Sequence, residues 1–254
     1  MSSDVFDRSL WIIGNRKTLP VEAIWSWFDY SGLPNGTVIS FRSSEAKQRK
    51  LLSADLEETL ESSHLSSFEV TGTGFSFQYG QNGGQNYDSV FIDGMSSLLT
   101  EEFCDELIKK TVGKDEGFLQ AHLIDKKYQH LQNIFDPLQF KALGLSMDGL
   151  PMKSNGLPFP LEQKIVDTSK NPGRFVLGQG FVEVVAATMW FGEKFWGKIN
   201  NTAQKAIEHL PSDVTLEHDQ CWRLQSRTGP FVDQSTAELQ NQIRNALFGQ
   251  MTQL

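Results

Sequence analysis

Cysteine is almost missing from this sequence: Cys104 and Cys221 are the only two in 254 residues. That excludes a disulfide framework and a CxxC metal site, and apolar neighbours make both read as buried thiols. Long hydrophobic runs are missing too. The longest, residues 181–191, is interrupted by Glu183, and a membrane-spanning helix needs roughly twenty apolar residues. The opening MSSDVFDRSLWIIGN carries Asp4 and Asp7 ahead of a short apolar stretch, which is no signal peptide. The cytoplasm is therefore the expected compartment. The five histidines, His64, His122, His130, His209 and His218, include no i, i+4 pair of the kind a zinc helix carries. There is no GxSxG nucleophile motif, and Gly72 and Gly74 precede no GK[ST], so neither hydrolase nor phosphate-loop chemistry is marked. Glu193 stands directly beside Lys194, without the one-residue gap that would put both on one face of a nuclease strand. Basic clusters are scarce. KQRK at 47–50 is the densest and reads as a solvated helical face. At a net charge of −8 the chain repels phosphate backbones.

What is present is an ordinary globular composition, 39% hydrophobic and 21% charged. Helices are expected after Thr18, where Val21, Ile24, Trp25 and Phe28 share a face, and across 44–63 through Leu52, Leu56 and Leu60. A third follows Thr100, with Glu101 and Glu102 first, Lys109 and Lys110 last and Gly113 beyond, the charge order that suits a helix dipole. Asp125 is expected to cap a short helix bearing Tyr128 and Leu131. Residues 198–210 read as one helix, and Ser235 with Glu238 as a capping box for the last. Strands are expected at 9–13, 37–41, 68–79, 87–92, 118–124, 174–177, 181–191 and 214–224, with GQNGGQN at 80–86 as a hairpin tip. The order shows no regular βαβ repeat. The expected fold is α+β, a mixed, largely antiparallel sheet covered by helices. It forms a single domain over 1–254, or two lobes, 1–145 and 174–254, joined by the Pro/Gly-rich loop 146–173.

Two features stand out as candidates for binding. Glu101, Glu102, Asp105 and Glu106 make an acidic cluster suited to a basic protein partner. Helix-dipole stability accounts for the first two, and less well for the others. The stretch GFVEVVAATMWFGEKFWG is expected to place 181–191 as a core strand covered on both faces. Beyond Gly192 its polarity rises, so Trp196 is the aromatic expected to reach a partner. Glu217, His218, Asp219 and Cys221 in LEHDQC offer metal-capable side chains, but an exposed strand end explains them better. No catalytic residue, metal or cofactor is expected.

The sequence resembles the immunity proteins encoded beside polymorphic toxins, in particular the family paired with restriction-endonuclease-fold DNase toxins of type VI secretion. The likeness rests on LWIIGNRKTLPVEAIW, where a strand ends at Gly14, Arg16 follows and an amphipathic helix begins, on the middle strands, and on GQGFVEVV. Phe181 stands where that family pattern has Trp. The resemblance implies a cytoplasmic inhibitor that binds and neutralises a cognate nuclease toxin, without catalysis of its own. A non-catalytic adaptor or chaperone for a secretion component, and an enzyme with an unrecognised site, are the competing readings.

Overall fold

The computed structural model describes residues 6–249 except 35, 45–47, 62–64 and 114. The chain opens with β1 (Arg8–Asn15) and α1 (Val21–Gly32), then β2 (Val38–Ser43), β3 (Arg49–Leu52), α2 (Leu56–Glu61), β4 (Ser67–Gly72), β5 (Phe75–Asn82) and β6 (Tyr87–Gly94). Next come α3 (Glu101–Thr111), β7 (Phe118–Asp125), α4 (Lys126–Asn133), α5 (Pro137–Ala142), β8 (Met152–Ser154), β9 (Lys164–Val166), β10 (Val176–Gly178) and β11 (Phe181–Glu183). The chain closes through β12 (Thr188–Phe191), α6 (Glu193–Lys198), α7 (Ala203–His209), β13 (Val214–Asp219), β14 (Cys221–Ser226) and α8 (Ala237–Phe248).

Ten strands form one sheet in the order β13-β14-β12-β7-β1-β6-β5-β4-β2-β3. Every pairing in it is antiparallel. The fold is therefore α+β, as the strand order along the sequence implies. Strands from both ends of the chain share the sheet, so β12 lies directly against β7. Helices α1, α2 and α3 cover one face. There Ile24, Trp25, Phe28, Leu56, Leu107 and Ile108 pack on Leu10, Phe41, Phe77, Ile92 and Trp190. Helices α6 and α8 cover the opposite face at the C-terminal end, where Phe195, Trp196, Ile243 and Leu247 meet Met189, Phe191 and Leu224. Central strands such as β1 are consequently buried on both faces.

Several local expectations hold because the capping chemistry is local. The Thr100 side chain accepts from Phe103 N at the start of α3, and Asp125 accepts from Tyr128 N at the start of α4. Others are corrected. The helix expected over 44–63 is only α2. Residues 49–52 pair with β2 as an edge strand, so Arg49 and Lys50 lie on a sheet edge rather than a helix face, while Lys47 falls outside the described residues. Charge on an edge strand discourages further pairing. The expected strands 68–79 and 214–224 each prove to be a hairpin, turning at Gly74 with φ +80 and at Gln220 with φ 63. The helix expected over 198–210 begins only at Ala203, capped by Thr202. The Asn201 side chain instead donates to the carbonyls of Ala246 and Leu247, satisfying the end of α8. The Ser235 capping box does not form: Ser235 bonds to Asp233, and Glu238 accepts from Gln242.

The segment 181–191 is buried as expected, yet it is not one strand. Only β12 enters the main sheet, while β11 pairs with β10 in a separate ribbon. The cause is Gln120 on β7. Its amide donates to Val182 O at 2.7 Å and accepts from Val182 N at 3.4 Å, holding β11 against the sheet's face instead of in its ladder.

Candidate partner-binding surfaces

The acidic cluster on α3 divides by helical spacing. Glu101 and Asp105, four residues apart, face the sheet, while Glu102 and Glu106, also four apart, face solvent. Glu101 accepts from Gln225 at 2.8 Å and lies 3.7 Å from Arg223. Asp105 accepts from the Trp190 indole at 2.9 Å and pairs with Lys109 at 2.9 Å, and Lys109 also reaches Asp219. Burial pushes the Asp105 carboxyl up, but hydrogen bonds from Trp190 and Lys109 and the charge of Arg223 outweigh it and hold the group below its ordinary range. Asp105 is thus explained by the interior of the protein, and of the four acids only Glu102 and Glu106 are presented to solvent.

Trp196 is also not a surface aromatic. It is 6% exposed, inside α6, with ring centroids 5.4 Å from Phe191 and Phe195 and 6.1 Å from Trp222. The rise in polarity after Gly192 comes from the solvent-facing side of a short helix, Glu193 and Lys194, while Phe195 and Trp196 turn inward.

The LEHDQC side chains diverge. His218 contacts Glu193 at 3.0 Å, Asp219 takes Lys109, and Cys221 is 2% exposed across the turn. Among the described residues no group of three His, Cys, Asp or Glu is placed to share a metal ion. His122 is fully buried with Nε2 2.7 Å from the Gln120 amide, and burial pushes its pKa down to about 3. Near Lys17 an open cleft of about 480 Å³ is lined by Glu22, Phe68, Tyr79 and Gln81. Its polar groups join a network around buried Asp88, which accepts from Lys17 N at 2.6 Å and from the Tyr79 hydroxyl at 3.1 Å. That network fixes the GNRKTLP turn after β1, where Lys17 has φ 64.

The Pro/Gly-rich loop expected over 146–173 lies within a longer arm spanning 134–177, which carries α5 and the β8–β9 hairpin. The arm leaves α4 at Asn133 and returns at Phe175. Asp136 caps α5 by accepting from Leu138 N, and a small cluster of Leu131, Ile134, Phe140 and Val166 packs inside. The two ends are tied together. Asn171 donates to Gln132 O at 2.7 Å, and Asn133 donates to Gly173 O and accepts from Phe175 N. Buried Arg244 donates to the carbonyls of Pro172 and Arg174 and pairs with Glu183 at 2.5 Å. Farther out, Lys153 pairs with Asp167 at 2.9 Å.

The arm exposes many large apolar side chains among its polar ones. Of the 19 exposed large hydrophobic side chains among the described residues, 13 lie between Phe135 and Leu177, a sixth of the chain; Phe159 is 90% exposed and Leu138 73%. Exposed apolar side chains concentrated in one segment in this way are a mark of interaction sites. The sequence signal was available as apolar residues strung between prolines and glycines, but without a period nothing in it says that they face outward.

The chain matches no protein-family profile and no curated protein sequence. Among solved structures its fold is similar to that of a Pseudomonas aeruginosa T6SS protein, with a TM-score of 0.56 and 11% identity over 96% of this chain and 72% of that one. The likeness extends across nearly the whole chain and is one of fold. No helix among the described residues is long and apolar enough to cross a membrane.

Proposed function

We propose that this chain is an immunity protein of a type VI secretion system, which binds a cognate nuclease toxin in the cytoplasm of the producing cell and neutralises it. It acts by occupying the toxin, not by catalysis, and requires no cofactor. The observation that carries the reading as a binding protein is the set of exposed apolar side chains on an arm whose ends are bonded to the body. A surface of that kind is costly to leave in water unless a partner covers it. The whole-chain fold likeness to a T6SS protein supports the secretion context. The resemblance of LWIIGNRKTLPVEAIW and GQGFVEVV to the immunity family supports the toxin as the partner. A net charge of −8 suits rapid capture of a basic enzyme.

Co-expression with the toxin-like product of the adjacent reading frame tests the proposal. Growth rescue with a 1:1 complex is expected. Continued toxicity with no complex overturns it, and binding to a secretion component without rescue favours the adaptor reading.

A further inference from the structure

We infer that the arm is the anchor of the complex, and that its occupant is an apolar cleft on a basic protein. This inference rests on the binding function proposed above and assigns it a surface.

Three observations combine. The arm's apolar residues are presented outward while its ends are fixed. Leu157, Phe159 and Leu161 at its tip are 50%, 90% and 61% exposed, and the strand-and-turn scaffold beneath them is bonded through Asn155, whose side chain accepts from Leu157 N and Gln163 N and donates to Leu161 O. A pre-organised tip loses little conformational entropy on docking. In the segment 157–161, Pro158 and Pro160 restrict the backbone on either side of the 90% exposed Phe159, which offers a single aromatic wedge suited to a concave site.

Charge then selects the occupant. Residues 134–177 hold four acids against four lysines and Arg174, so the arm carries no negative charge of its own and the chain's −8 arises outside it. A second copy would bring −8 against −8, and an anionic membrane surface would also repel the body. A cationic protein would be attracted by the body and held by the arm's exposed apolar side chains. The two surfaces thus divide the work: long-range attraction governs the association rate, and burial of the wedge governs the dissociation rate.

The test uses the full chain and the purified toxin domain encoded by the adjacent reading frame, in a catalytically inactive form. The triple variant Leu157→Ser, Phe159→Ser, Leu161→Ser alters only exposed side chains, so its melting temperature should match the wild type. It should dissociate at least tenfold faster, with an association rate within a factor of three, and should fail to rescue growth. Raised salt should slow association of wild type and variant alike. Wild-type binding by the triple variant overturns the inference while leaving the immunity reading intact. A wild-type chain that forms no complex with the toxin overturns both. A wild-type dimer that the triple variant converts to monomer, with toxin binding unchanged, assigns the arm to a second copy instead. Flotation of the chain with anionic vesicles, lost in the variant, assigns it to a membrane.

Discussion

The Trp190 indole nitrogen donates to the Asp105 carboxylate at 2.9 Å, joining the middle of β12 to α3 across 85 residues of sequence. Trp190 is fully buried on the face that α3 covers, and Asp105 adds Lys109 and Arg223 to the same junction. A residue that sequence reading assigns to a partner surface is thereby an internal tie between α3 and β12.

Trp190→Ala should destabilise the fold by about 3–5 kcal/mol, the range for emptying a large aromatic site. Trp190→Phe keeps most of the packing and removes the donor, for about 1.5–3 kcal/mol, the worth of a hydrogen bond to a charged group. Chemical denaturation gives both values. An unchanged midpoint for Trp190→Ala would refute the placement of β12 in the core.

Trp196 should behave as a core residue, with Trp196→Ala costing about 3–5 kcal/mol. Its Nε1 has no hydrogen-bond partner among the described residues. Trp196→Phe should therefore be tolerated at below about 1.5 kcal/mol, since no bond is lost with the indole. A weakened toxin complex with unchanged stability in Trp196→Phe would show that the indole reaches the partner after all.

Acid should destabilise the protein in two steps. Burial depresses the His122 pKa from 6.5 to about 3, so the unfolded chain binds a proton that the native state refuses. The stability held at neutral pH is lost progressively as pH falls from 6.5 towards 3. Asp105 is depressed below its ordinary 3.8, so its contribution is present above that value and is lost as pH falls through the native pKa. Denaturation midpoints measured from pH 7 to 2 should fall from about pH 6.5 downwards, a fall reduced in His122→Gln, and should fall more steeply below about pH 4 by a part that Asp105→Asn removes.

Arg244→Ala should cost about 3–5 kcal/mol by leaving Glu183 without its closest cation. It also frees the carbonyls of Pro172 and Arg174, so amide exchange at 173–175, where the arm joins the body, should quicken more than in β1 or β7. Uniformly faster exchange would mean that the arm's root is not separately held.

The four acids of α3 should divide by face. Glu102→Lys with Glu106→Lys should change stability by less than about 0.5 kcal/mol, yet slow association with a basic toxin several-fold at low salt. Glu101→Gln should lower stability through Arg223 and Gln225. Stopped-flow association and denaturation curves separate the two effects, and equal association rates for wild type and double reversal would remove Glu102 and Glu106 from the encounter surface.

Where the physical cause was local, the sequence by itself determined the structure. Thr100 and Asp125 start their helices because a side-chain oxygen reaches an amide three residues on. The 3.6-residue spacing of Ile24, Trp25 and Phe28 fixed which face of α1 is buried. The α+β class followed from apolar segments too irregular for a parallel repeat. Tertiary structure decided the rest, because each remaining question depended on a partner distant in the chain. Residues 49–52 carry helical spacing but pair with β2, which offers a ladder that local propensity cannot anticipate. Segment 181–191 breaks after Glu183 because Gln120 and Arg244 claim its backbone and its charge. Asp105 faces inward and Glu106 outward because α3 lies on β12 and β14, a docking its own charges do not encode. Phe159 is exposed on an arm whose ends Gln132, Asn133 and Arg244 hold to the body, contacts distant from it in the chain. Burial is a property of the assembled sheet, and no period in the arm's sequence reports it.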